Sequence, residues 1–441
     1  MPSCSRLPLR PVTRGWVCAF LGWLAVLGLG FQARAQAPAT SPAGGITVAI
    51  GGALQDDNTA VWSRLVALAG GRGACFSIVT AASADPDASA AALSRILEKH
   101  GATAVHIRVG PRITGQDPAQ EVDNPAWAEK VRGCKGIYMG GGAQARLLEL
   151  LMPGGHSTPL LQAMREVWHQ GGVVAGSSAG AAVLSAVVFR DAPDPLAVMK
   201  GRLRRGHEWD AGFAFAPAGL VIDQHAVRRG RIGRLLPLMQ AQDVALGFAV
   251  EEDSAAIFQG QSVEVMGTHG VLVADLHGAT RDARLAAFNL RGATLHWLES
   301  GDRFDLSNRQ VTPSAPKAAG TRLQPLAPSH RGYFRGPLYF GDILGDGMVV
   351  KAMTRLVDGD QAELLGLAFA GRPAADDPDP GLAFEWRLWL DPSTTAWLQL
   401  RPVAYTVQGV RLDIVPGRLQ LPLFTPLPPP AAAQPSPRQA P

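Results

Sequence analysis

Residues 173–188 read VVAGSSAGAAVLSAVV, an apolar run followed by a Gly-Ser-Ser-Ala-Gly turn and a run of small residues. The turn fits G-x-S-x-G, in which a serine between a strand and a helix thrusts its hydroxyl outward. Such a turn strains the backbone and needs small neighbours; Gly176, Ala179 and Gly180 supply them, so Ser178 is the candidate nucleophile. At a helix start the amide of Ala179 would face an oxyanion forming on a substrate carbonyl, with the helix dipole adding to it. A second amide is expected from the glycine run 140–142, with Gly141 and Gly142 as donors, because glycine lets a backbone approach closely. A turn of this composition can also hold phosphate or simply pack, but the chain has no G-x-x-x-x-G-K-[ST] to support a nucleotide.

A nucleophilic serine needs a base and an acid to orient it. His225 stands in LVIDQHAVRRGRIGRL (220–235), just past an apolar run ending at Ile222, and is expected to open a helix carrying Arg228, Arg229, Arg231 and Arg234. Those arginines could equally form a solvated face. For the acid, ALGFAVEEDSAAIF (245–258) offers Glu251, Glu252 and Asp253 directly after a strand-like run, and the residues alone leave all three open. No H-E-x-x-H and no paired C-x-x-C occurs, and Asp223 with His225 is too small a ligand set, so neither a metal nor another cofactor is expected.

The elements that must position these residues are short β-rich runs separated by helix-length segments. ITVAIGG (46–52), ACFSIVTAAS (74–83), AVHIRVG (104–110), GIYMGGG (136–142) and GVVAGSS (172–178) read as strands. Amphipathic stretches at 61–68, 90–100 and 160–168 lie between them, the last with Ser157 or Thr158 as N-cap and Pro159 in its first turn. This alternation predicts an α/β fold with a doubly wound, mostly parallel sheet, whose ligands sit at the carboxyl ends of the strands, where the glycines gather. Residues 248–306 read as short strands closing the same domain. A Pro/Ala/Ser-rich stretch predicts a linker at 313–330, and strand-like runs such as AFEWRLWL predict a smaller β-rich accessory region at 331–420. The Pro/Ala-rich tail 421–441 is expected to be disordered, with polyproline character.

At the other end, Arg6, Arg10 and Arg14 precede an apolar run and then Ala33-Arg34-Ala35, which reads as a signal peptide over 1–35 with a short linker at 36–44. Export to the periplasm or the medium follows, and no membrane anchor is expected after cleavage. The four arginines of this leader account for the whole excess of 41 basic over 37 acidic residues. A neutral mature protein gives no reason to expect nucleic acid as a partner. Cys75 and Cys134 remain beyond the leader; an oxidising compartment would permit a disulfide, but spacing does not decide it.

The blocks GSSAGA, DQHAVRRGRIGRL and EEDSA, in that order, resemble the cyanophycinase family, whose usual forms are GTSAGA, DQHF-x-x-RGR-x-GRL and DED-T/S-A. IGGA near the start and GDRFDL (301–306) are also similar, so the resemblance spans about residues 45–312. It implies a fold related to class I glutamine amidotransferases and a triad of Ser178, His225 and Glu252, with Glu251 mattering little. It also implies a pocket of Gln144, Asp223, Gln224, Arg229, Arg231 and Arg234 for cyanophycin, a poly-aspartate bearing arginines, cut to β-aspartyl-arginine dipeptides. Other aspartyl peptides are the alternative substrate, a non-catalytic peptide-binding protein is a third reading, and a homodimer is allowed for. Two departures stand out: Ala143, where relatives carry Asp or Asn, would remove a polar group near the oxyanion site, and Ser177 replaces the usual threonine.

Overall fold

The computed structural model describes residues 44–420, 423 and 425–427. The leader expected at 1–35, nearly all of the linker expected at 36–44 and most of the tail expected at 421–441 lie outside the described residues. Five strands form a parallel core: β1 (Ile46–Ile50), β2 (Cys75–Val79), β3 (Thr103–Ile107), β4 (Gly136–Met139) and β5 (Val173–Ser177). Their order is β3-β2-β4-β5-β1. Each strand after β1 is fed by a helix whose signals are local: Thr158 caps Pro159–His169 by accepting from the Leu161 amide, and Asp85 caps Pro86–Lys99 with proline at its start. Beyond β1 the sheet turns antiparallel through Ser254–Gln259, Ser262–Gly267, Arg303–Asp305 and Val311–Thr312.

The expected α/β fold with its parallel core sheet is present, and a second large sheet accompanies it. Leu220–Gln224 and Leu246–Val250 pair in parallel with each other in a second sheet, followed by antiparallel Gly270–Asp275 and Leu290–Glu299. The long strand Val403–Arg418 then pairs with Leu290–Glu299, and Leu382–Trp389 and Glu363–Ala368 follow. The expected β-rich region is present, but as part of the ten-stranded sheet that also holds the strand before His225, not as an appended unit.

The stretch expected to be a linker at 313–330 is likewise built in. It forms a helical turn at Ala315–Ala318 and a strand, Thr321–Leu323, that pairs with Thr395–Leu400. Lys317 is buried and donates to Asp302 Oδ2 at 2.7 Å, while Thr406 Oγ1 donates to the same oxygen at 2.6 Å. A buried charge is tolerated only when paired and hydrogen-bonded, and this network meets that condition while tying the stretch to both sheets. Composition pointed to a linker because proline and alanine carry no burial pattern; the single lysine that anchors the segment reads in sequence as solvated.

Cys75, opening β2, and Cys134, just before β4, are joined by a disulfide with their Cα atoms 4.8 Å apart. Pairing of the adjacent strands β2 and β4 brings them together, which spacing could not reveal.

Candidate active site

Ser178 follows β5 directly and adopts φ +51°, ψ −113°, a region costly for a residue with a Cβ. Its amide donates to Ile50 O at 3.0 Å. The side chain forms no cap bond to the turn that follows, leaving the hydroxyl free to donate to His225 Nε2 at 2.8 Å. His225 comes directly after the strand Leu220–Gln224, also at positive φ (+50°), with its amide on Gly51 O at 2.9 Å. Its Nδ1 donates to Glu252 Oε1 at 2.6 Å. A carboxylate can only accept, so this bond fixes the tautomer and leaves Nε2 with a lone pair facing the serine.

Glu251 and Glu252 follow Leu246–Val250, the neighbouring parallel strand. The Asp253 amide donates to Gly52 O at 2.9 Å. Three successive carbonyls at the end of β1, those of Ile50, Gly51 and Gly52, thus hold the segments carrying the serine, the histidine and the acids. The approach is close enough to require glycine. A Cβ on Gly52 would lie 2.3 Å from His225 Cε1, and one on Gly51 would lie 2.0 Å from Glu251 O.

The two glutamates divide the work. Glu252 Oε2 accepts from Arg228 Nη1 at 2.8 Å, and Arg229 Nη2 lies 3.6 Å from Oε1. Burial pushes the Glu252 carboxyl up, but the bond from His225 and the charges of His225, Arg228 and Arg229 outweigh it and hold it below 4.5. Glu251, expected to matter little, instead accepts from the amides of Val227 (2.6 Å) and Arg228 (2.9 Å) with Oε2, and from the Glu252 amide (2.9 Å) with Oε1. It locks the turn after the histidine to the acid. Asp253 turns away, accepting from the Gln55 amide and Asn58 Nδ2, both at 2.9 Å.

For the oxyanion, Gly141 lies beside the nucleophile, where an added Cβ would be 3.2 Å from Ser178 Cβ. Gly142, at φ +138°, packs against the neighbouring strand end, where an added Cβ would lie 2.0 Å from Ala82 O. The helix after Ser178 is one turn, Ala179–Ala182, so the direct amide of Ala179 outweighs any dipole. Ala143 is the N-cap of the helix Gln144–Leu151 and offers no side-chain bond there. Compared with Asp or Asn, alanine there lacks a side-chain cap, a difference of about 1 kcal/mol.

The expected pocket residues part company. Asp223 and Arg234 are each 1% exposed and paired bidentately, Nε to Oδ2 at 2.7 Å and Nη2 to Oδ1 at 2.6 Å, so neither can reach substrate. Arg234 also donates to Ala192 O and stacks 4.3 Å over Phe189. Residues 226–231 are a turn, and the helix starts only at Ile232, so the arginines do not share a helical face. Arg231 donates Nη1 to Gln224 O at 2.8 Å, and burial brings its pKa down to about 10. Arg231 Nε and Gln224 Oε1 are buried without partners among the described residues. The Arg229 side chain is half exposed, and Gln144 Nε2 donates to Phe189 O at 3.0 Å.

A parallel-cored α/β fold with a serine, an imidazole and a carboxylate in one hydrogen-bonded line at its strand ends defines a class, the hydrolases that act through an activated serine. Residues 48–266 match peptidase family S51. A cyanophycinase from Synechococcus elongatus is 30% identical over 279 residues, covering 60% of this chain and 81% of that protein. A cyanophycinase from Geminocystis herdmanii is 30% identical over 253 residues, covering 55% and 86%. A crystal structure of a peptidase from an acI-B1 Actinobacterium covers 60% of this chain and 98% of its own, with 20% identity and a TM-score of 0.44. The chain belongs to peptidase family S51, the family of these cyanophycinases, and is a serine-type peptidase.

Two outcomes follow from the geometry. Burial lowers the His225 pKa, Glu252 offsetting this in part while Arg229 and Arg231 add to it. The neutral imidazole is the form that accepts a proton, so the acid limb of kcat/KM has its midpoint below the 6.5 of a free imidazole. A pH–rate profile with that midpoint above 6.5 contradicts His225 as the base. Glu251→Gln puts an NH2 donor against at least one of the three amides and leaves the others a neutral acceptor, at about 1–3 kcal/mol. It lowers kcat about tenfold with little change in KM, and steady-state kinetics giving wild-type kcat would show the clamp to be unimportant.

Proposed function

We propose that the protein is an exported exopeptidase that hydrolyses cyanophycin to β-aspartyl-arginine dipeptides through Ser178, His225 and Glu252. The observation that carries the chemistry is the continuous line from Ser178 Oγ to His225 Nε2 (2.8 Å) and from Nδ1 to Glu252 Oε1 (2.6 Å). His225 takes the serine proton as Oγ attacks the carbonyl carbon, and the amides of Ala179 and Gly141 receive the oxyanion. The imidazolium, stabilised by Glu252, returns the proton to the departing amine, leaving an acyl-enzyme. Water then attacks that ester with His225 again as base, and Ser178 is regenerated.

The substrate reading rests on the cyanophycinases among the relatives. A substrate carrying carboxylates finds a partner in half-exposed Arg229, whose guanidinium lies 3.6 Å from Glu252. Export is supported by the leader pattern at 1–35 and by a disulfide of the kind that persists in oxidising compartments.

Purified protein incubated with insoluble cyanophycin releases β-aspartyl-arginine, identified by mass, and Ser178→Ala abolishes release while leaving the melting temperature within a few degrees. Intact polymer with the wild-type enzyme would refute the substrate, and an active Ser178→Ala the nucleophile. For export, N-terminal sequencing of protein from fractionated cells finds a chain starting near residue 36, outside the cytoplasm; cytoplasmic protein beginning at Met1 overturns it.

A further inference from the structure

A large cleft opens away from Ser178, which does not line it. It is a cleft of about 890 Å³ on the far side of the triad acid, reached from the nucleophile through His225, Glu252 and then Arg228. Most of its wall comes from residues 297–404, beyond the family match that ends at 266.

The lining is apolar with both signs of charge. Val350 and the two-thirds-exposed Val403 give it hydrophobic surface. Arg228 and Lys351 present cations, and Glu299 and Asp346 present anions. Arg228 uses Nη1 on Glu252, yet its side chain is half exposed, so the rest of a guanidinium with five N–H donors faces the cleft. Glu299 is held by Trp297 Nε1 at 2.9 Å, and its carboxyl is pushed above its ordinary value by burial, which Lys317 at 3.8 Å offsets only in part. A second cation would relieve that.

We propose that this cleft is a second binding site, which holds a further segment of a peptide polymer carrying alternating carboxylate and guanidinium groups while the chain end is cut at Ser178. The match is chemical. Carboxylates of the segment pair with Arg228 and Lys351, guanidinium groups with Glu299 and Asp346, and the aliphatic stems of its arginines lie on the valines. A pocket both apolar and doubly charged suits such a zwitterionic repeat better than a ligand of one sign. Bound polymer would also touch Arg228, the partner of the triad acid. This rests on the substrate proposed above and adds the place where the polymer is held.

Lys351 and Asp346 are exposed and outside the triad, so Lys351→Glu and Asp346→Lys can be made in the full chain without opening the core. Each charge reversal raises the apparent KM for insoluble cyanophycin about fivefold or more, while kcat/KM for a soluble trimer of β-aspartyl-arginine and the melting temperature stay at wild-type values. Unchanged KM on the polymer, or equal loss on polymer and trimer, overturns the second site while leaving the substrate reading intact. A wild-type enzyme that cuts neither polymer nor trimer removes the substrate reading and this inference with it.

Discussion

Everything at the site depends on the end of β1 and the two glycines that follow it. The carbonyls of Ile50, Gly51 and Gly52 accept, one after another, from the amides of Ser178, His225 and Asp253. Each donor stands at a positive φ, +51°, +50° and +52°, which a side-chain-bearing residue adopts at a cost of about 1–2 kcal/mol. None of the three would hold that conformation on an isolated strand end. Because one rigid segment takes all three amides, the strain is maintained jointly, and side chains from two different sheets arrive at fixed separations. The absence of a Cβ at Gly51 and Gly52 lets the second sheet close to that distance; any larger residue would meet Glu251 O or the His225 ring before the bonds could form.

The electrostatics follow from the same closure. Burying His225 and Glu252 takes both out of water, which alone would raise the acid and lower the base. Arg228 and Arg229 keep the acid ionised from its outer side, so the imidazole sees a carboxylate while its free nitrogen remains unprotonated. Glu251 solves a different problem. A turn in which several amides point one way needs an acceptor, and one buried carboxylate taking three of them replaces the solvent that closure excluded.

Much of this was legible in sequence where the signal is local. The small residues around Ser178, the Thr158 cap and the five core strands are each specified by residues within a few positions of where they act. The division into two sheets was not, because a run such as LVIDQ reads as a buried strand whichever sheet it joins. Reading Asp223 and Arg234 as pocket residues failed for a related reason. A charged residue in a motif block suggests a ligand, but eleven positions apart along the chain these two meet face to face beneath the site. Glu251 was passed over because its partners are backbone amides, which leave no trace in residue identity.

The C-terminal half bears on catalysis through packing. Val221 and Leu235, on the elements flanking His225, belong to the same core as Leu272, Leu295, Phe384, Trp386 and Leu412. The strand Val403–Arg418 completes the hydrogen bonding of Leu290–Glu299, whose edge would otherwise be open. Within the segment that matches the family, residues 48–266, the second sheet has only Leu220–Gln224 and Leu246–Val250, a two-stranded ribbon that is marginal by itself. Those two strands carry His225 and Glu252 at their ends. Holding His225 within 2.8 Å of Ser178 needs a rigid supporting layer, and in this chain that layer is completed by residues 270–418. The part of the sequence with the least resemblance to known motifs is therefore the part that stiffens the most recognisable one.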